Sequence, residues 1–149
     1  MNVYLVRHGD AVSAKENSAR PLSDTGRAQV QRIARLALER NLQASAIYHS
    51  GILRAKETAE ILAAHFPSIA QVAQLSGLMP DDDPATIKAE LELASDPMVL
   101  VGHMPFLGRL SGLLVNGDPQ RPVIEFLPGA LLCCTRSALQ WKFSWHVAP

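Results

Sequence analysis

Residues 3–11, VYLVRHGDA, set Val, Tyr, Leu and Val directly against Arg7, His8, Gly9 and Asp10. An apolar run that stops so abruptly reads as a buried β-strand ending at a polar boundary. The boundary is either an ordinary solvated turn or the edge of a chemical site. The segments that follow decide between the two.

Further strand-like runs stand at 46–50 (AIYHS) and 98–102 (MVLVG), beside the first at 2–6. Helical spacing lies between them. Val30, Ile33, Ala34 and Ala37 recur at i, i+3, i+4 and i+7 behind Ser23, a residue suited to capping a helix start. Ala55, Thr58, Ala59, Leu62 and Phe66 repeat the pattern. In DDDPATIKAEL, Asp83 suits the cap and Pro84 the first helical position. A fourth helix from Pro105 carries Phe106, Leu107, Leu110, Leu113 and Leu114 on one stripe and stops near Asn116 and Gly117. Residues 130–136 and 140–147 read as a C-terminal hairpin around SALQ. This alternation predicts an α/β domain of three layers spanning 1–149, its largely parallel sheet flanked by helices.

Composition narrows the function classes. The 149 residues are 48% hydrophobic and 19% charged, enough apolar content for one core. Fourteen basic and fourteen acidic residues cancel. Without a basic excess or a Lys/Arg run, neither nucleic acid nor an acidic membrane surface is an expected partner. No apolar stretch approaches the roughly 18 residues of a spanning helix, and the first apolar run ends at Arg7, too early for an export signal. Cys133 and Cys134 are neighbours, a poor geometry for a disulfide within a strand, so they read as reduced apolar fillers in a cytoplasmic protein.

In open α/β sheets, ligands bind beyond the carboxyl ends of the strands. Arg7 and His8 follow the first strand, Ser50 and Arg54 the second, and His103 the run MVLVG. Read singly, Arg7 is a solvated charge, His8 a boundary histidine, Arg54 a partner for Glu57, and Ser50 a helix cap. Gly9 and Gly102 would let the backbone turn sharply and approach a ligand closely. Read together, three strand ends deliver two arginines and two histidines to one side of a sheet, a convergence that independent surface charges would not produce. His49, His65 and His146 lack such placement and read as structural or surface residues. The constellation suits phosphate: guanidinium forks match phosphate oxygens, helix starts favour anions, and imidazole among arginines stays neutral and nucleophilic.

LVRHGDA at 5–11 resembles the Arg-His-Gly signature of the histidine phosphatase superfamily, which includes the phosphoglycerate mutases. RPLSDTG (20–26), SGILRAKETAEIL (50–62) and VLVGHMPFLGRL (99–110) extend the similarity to the SixA-type phosphohistidine phosphatases. The resemblance implies a phosphoglycerate mutase-like fold and a phosphatase; neither cofactor nor metal is expected, because the arginines and His103 supply the positive field a metal would otherwise provide. It places the nucleophile on His8, the phosphate-clamping arginines on Arg7 and Arg54, and the second histidine on His103. It also implies a phosphohistidine-bearing protein partner, such as a phosphotransfer domain or a phosphocarrier protein.

Gly51 departs from the proline that the family often has after serine. The short stretch between Phe66 and Ala85 departs further, because larger relatives carry inserted segments there that often present an acid. Asp10, Asp81 and Asp82 are the candidate proton donors, Asp83 being taken as a cap. An alkoxide leaving group benefits from such an acid, whereas exchange of one P–N bond for another is near balance. Phosphohistidine is therefore the favoured substrate, and a small phosphate monoester the rival. A metal hydrolase using His8, His103 and the aspartates would need a cation beside two arginines, and a purely phosphate-binding module would have no use for His8.

Overall fold

The computed structural model describes residues 1–149. Its elements are β1 (Asn2–Arg7), α1 (Asp24–Glu39), β2 (Ala46–His49), α2 (Leu53–His65), β3 (Gln71–Gln74), α3 (Pro84–Leu93), β4 (Met98–Gly102), α4 (Phe106–Asn116), β5 (Leu131–Ser137) and β6 (Gln140–Val147). One six-stranded sheet runs in the order β3-β2-β4-β1-β5-β6. The first four of these pair in parallel, and β5 and β6 form an antiparallel hairpin against β1.

Side chains alternate between two cores. Tyr4 and Val6 of β1, Val99 and Val101 of β4, and Cys133 pack with α1 and α2 on one face. Val3, Leu5, Leu100 and Cys134 pack with α3 and α4 on the other. The adjacent cysteines thus fill opposite cores as buried free thiols. This is the three-layer, largely parallel α/β architecture that the alternating segments predict.

Local chemistry sets the helix ends. Ser23 Oγ accepts from the Gly26 N–H at 3.0 Å and opens α1, and Asp83 Oδ1 accepts from the Ala85 N–H at 2.9 Å and opens α3. Arg136, reaching over from β5, donates to the carbonyls of Leu91, Glu92 and Ala94 and so satisfies the carboxyl end of α3. Gly117, at φ 68°, closes α4.

Three features differ from the sequence reading. β3 is an additional strand: Gln71, Val72 and Gln74 are exposed on the sheet edge, so no buried apolar run marks it. The second strand stops at His49, which leaves Ser50 free in the following turn. Gly9 makes room for a helix rather than for a ligand, since a Cβ there would lie 2.7 Å from the Gly26 carbonyl oxygen of α1. At Gly102 a Cβ would meet only ordinary contacts, the nearest at 3.4 Å to Leu107.

Candidate active site

The sheet order builds the site. Because β4 lies between β1 and β2, the segment leaving β4 emerges between the other two. His103 therefore meets His8 on one side and Ser50 on the other. The two imidazole centroids are 5.0 Å apart, and Ser50 Oγ lies 2.6 Å from His103 Nε2. The loop preceding β5 closes the far side: the Gly129 N–H donates to the carbonyls of Arg7 and His8 at 3.1 Å.

His8 Nδ1 lies 2.7 Å from the Gly9 carbonyl oxygen. A carbonyl only accepts, so Nδ1 carries the proton and Nε2 keeps its lone pair. Arg54 Nε donates to that Nε2 at 3.4 Å. Burial, followed by the charges of Arg54, Arg7 and Arg20, outweighs the bond to Gly9 and pushes the His8 pKa down to about 4. The ring is neutral at neutral pH.

Ser50 sets the other imidazole. Its Oγ accepts from the Ile52 N–H at 3.3 Å and shares a hydrogen bond with His103 Nε2. The other ring nitrogen, Nδ1, is buried and has no partner within the protein. Burial first, then His8, Arg54 and Arg7, push His103 down to about 3. Arg7 donates from Nη1 to the Phe126 carbonyl at 2.8 Å, while its buried Nε is unpartnered. Two buried nitrogens without a partner in the protein, Arg7 Nε and His103 Nδ1, thus belong to the groups around His8, whose Nε2 accepts only the long bond from Arg54.

The surroundings leave this charge unneutralised. Glu57 does not pair with Arg54: its Oε2 bonds Arg27 Nη2 at 2.6 Å, and its Oε1 accepts from the Leu22 N–H. The remaining ion pair, Lys88 with Glu92, lies on α3. The starts of α2 and α4, which follow β2 and β4, have no side-chain cap and add the positive ends of their dipoles. Neutral imidazole, guanidinium groups and spare N–H donors together are equipped to bind a phosphoryl group and attack its phosphorus.

The structure thus brings Arg7, His8, Arg54 and His103 together, with Ser50 beside them. Thr58 joins them unpredicted: fully buried, it accepts from the Gly9 N–H at 3.2 Å and donates to the Arg54 carbonyl at 2.8 Å. A hydroxyl on an otherwise apolar helical stripe was the available signal. Gly51 adopts φ 91°, a conformation closed to proline, so this turn differs from a Ser-Pro turn.

Two of the three candidate acids are engaged elsewhere, and the third lies on solvent-exposed surface. Asp10 Oδ2 accepts from Ser23 Oγ at 2.7 Å, Asp82 Oδ2 accepts from the Met79 N–H at 2.9 Å, and Asp81 is exposed. His49 and His65 bond the Gly51 N–H and the Ile61 carbonyl respectively, and His146 is exposed. No group of three or more His, Cys, Asp or Glu side chains is arranged to hold a metal ion, and no helix is long and apolar enough to cross a membrane.

Residues 3–79 match the histidine phosphatase superfamily, branch 1. The chain belongs to that superfamily and is a phosphatase. An uncharacterised protein of Picosynechococcus is 36% identical over 126 residues, covering 79% of this chain and 75% of its own. In three dimensions the fold is similar to that of the protein histidine phosphatase SixA solved with tungstate: TM-score 0.87, 24% identity, 99% of this chain and 97% of that one. A phosphoserine phosphatase of Entamoeba histolytica bound to phosphoserine gives a TM-score of 0.71 at 14% identity, covering 97% and 95%. The fold is shared by enzymes named for different substrates.

Proposed function

We propose that the protein is a protein phosphohistidine phosphatase and that His8 carries the phosphoryl group between substrate and water. The observation that carries this reading is the short connection beside the site: β3 passes to α3 through residues 75–83 alone. A phosphorylated side chain on a folded partner can reach such a site, whereas a small metabolite would find little to enclose it.

In the first step, His8 Nε2 attacks phosphorus as the P–N bond to the substrate histidine breaks. The departing imidazole keeps that electron pair and takes a solvent proton. Arg7 and Arg54 balance the charge on the phosphoryl oxygens, and His103 donates to one of them. In the second step, water attacks the phosphorylated His8, and inorganic phosphate leaves with neutral His8 restored. Neither departure produces an alkoxide, so no carboxylic acid is needed, consistent with the local bonds of Asp10 and Asp82. Phosphotransfer domains and phosphocarrier proteins are the partners we assign, in the cytoplasm, where the two free thiols stay reduced.

The second reading, a small-molecule phosphomonoesterase, draws on a groove of about 540 Å³ that reaches Ser50 and includes Gly77, Met79 and Asp82. The two readings separate in one comparison of kcat/KM. A phosphorylated phosphotransfer domain should exceed sugar phosphates and phosphoserine by at least two orders of magnitude. Preference for a monoester, together with a hundredfold loss in Asp82→Asn, the range of general acid catalysis, would replace the first reading with the second.

A further inference from the structure

The two peptide groups that follow His8 are each held at both ends. In the first, the His8 carbonyl accepts from the Gly129 N–H at 3.1 Å, and the Gly9 N–H donates to Thr58 Oγ1 of α2 at 3.2 Å. In the second, the Gly9 carbonyl accepts from His8 Nδ1 at 2.7 Å, and the Asp10 N–H donates to Gln29 Oε1 of α1 at 2.9 Å. The carbonyl and the N–H of this second group share one rigid plane and point in opposite directions. Fixing the N–H therefore aims the carbonyl, and an acceptor on the N–H polarises the carbonyl into a stronger acceptor itself.

Gln29 is built into that place from both sides. One helical turn before it, Gly26 lets α1 lie directly against the loop, where a Cβ would stand 1.9 Å from the Asp10 carbonyl oxygen. The Gln29 Cβ in turn lies 3.4 Å from where a Cβ on Gly129 would stand. Its side chain thus packs beside the segment that holds the His8 carbonyl and reaches the peptide that holds the His8 ring. That peptide governs the tautomer, since the partner of one imidazole nitrogen decides where the proton sits. A proton on Nδ1 leaves the Nε2 lone pair free to attack phosphorus, whereas a proton on Nε2 removes it.

We propose that Gln29 is a positioning residue for the reaction: through the Gly9–Asp10 peptide, its amide oxygen keeps the His8 proton on Nδ1 and the Nε2 lone pair free. The inference rests on His8 being the nucleophile, but the tautomer is read in the free protein without turnover.

Gln29→Met is the decisive variant, because it keeps the length and helix propensity of the side chain and removes the acceptor. Long-range nitrogen–proton correlation on protein with nitrogen-15 histidine, at neutral pH, reports which ring nitrogen is protonated, and His8→Ala assigns the signal. Wild-type His8 should carry its proton on Nδ1 alone, and in Gln29→Met part of the population should move to Nε2. Single-turnover release of p-nitrophenolate from saturating p-nitrophenyl phosphate should slow roughly threefold to tenfold, the weight of one hydrogen bond. The Kd of inorganic phosphate, by calorimetry, should stay within about twofold, because the arginines bind it unaided. Gln29→Glu, which keeps an acceptor at the same length, should restore the tautomer and most of the rate. Should methionine lower the thermal midpoint, Gln29→Leu makes the same comparison. A folded variant whose His8 stays wholly protonated on Nδ1 overturns the proposal, as does a loss that Gln29→Glu fails to restore or a moved tautomer with an unchanged rate. If His8→Ala is itself fully active while the tautomer moves in Gln29→Met, the nucleophile assignment fails and the hold of Gln29 on the ring stands.

Discussion

Acid should destabilise this fold through its site. His8 and His103 ionise in the folded protein near about 4 and about 3, against an ordinary value of 6.5. Below pH 6.5 the unfolded chain takes up protons that the folded chain refuses, so stability falls as pH falls toward those values. By pH 5 an unfolded histidine is almost wholly protonated while both site rings remain neutral. Each then removes about 2 kcal/mol relative to pH 7.5, about 4 kcal/mol for the pair. That is a large share of the 5–15 kcal/mol roughly typical of domain stability. Urea unfolding followed by circular dichroism at both pH values measures it. His8→Ala should lose about 2 kcal/mol less than the wild type on acidification, while His49, also lowered chiefly by burial, contributes equally to both proteins. Equal losses in the two proteins, within about 0.5 kcal/mol, would refute the claim that the site holds His8 neutral against protonation.

Arg7→Ala and Arg54→Ala should each lower kcat/KM by about 10²–10³-fold, the cost of one preorganised donor to developing charge; losses below tenfold in both would argue against a phosphate clamp. Ser50→Ala should cost about tenfold in kcat, one hydrogen bond's worth, because His103 Nε2 loses its 2.6 Å partner; an unchanged rate would remove Ser50 from the site. Gly26→Ala would set a Cβ 1.9 Å from the Asp10 carbonyl oxygen. It should destabilise the protein by about 1–3 kcal/mol and displace the loop after His8, which melting and kcat together would detect. Extended EDTA treatment should leave activity intact, the arginines supplying the positive field; loss that added zinc or magnesium reverses would revive a metal-dependent mechanism.

Much of this organisation was legible in the sequence because local chemistry wrote it there. Apolar runs ending at Arg7 and His103 placed two strands and two imidazoles, and Ser23, Asp83 and Gly117 marked helix ends that the structure shows. Sheet order was not legible. That β4 inserts between β1 and β2, bringing His103 against both His8 and Ser50, is decided by packing across the whole chain. β3 went unread because an exposed edge strand needs no apolar run. Helical spacing offers Glu57 as a surface partner for Arg54 taken singly, but a long-range bond to Arg27 takes Glu57 and leaves Arg54 without a carboxylate. The glycine of the signature serves a neighbour that the motif does not announce: α1, not a ligand, occupies the space beside Gly9.

The most direct measurement is rapid quenching of the enzyme with substrate labelled on its phosphoryl group, followed by peptide mapping. Phosphate transferred to His8 Nε2 should be trapped as an alkali-stable, acid-labile phosphoenzyme on the peptide containing His8, formed at least as fast as turnover and absent from His8→Ala. Turnover without a trapped intermediate, or label on another residue that survives in His8→Ala, would contradict the assignment of His8 as the phosphoryl carrier.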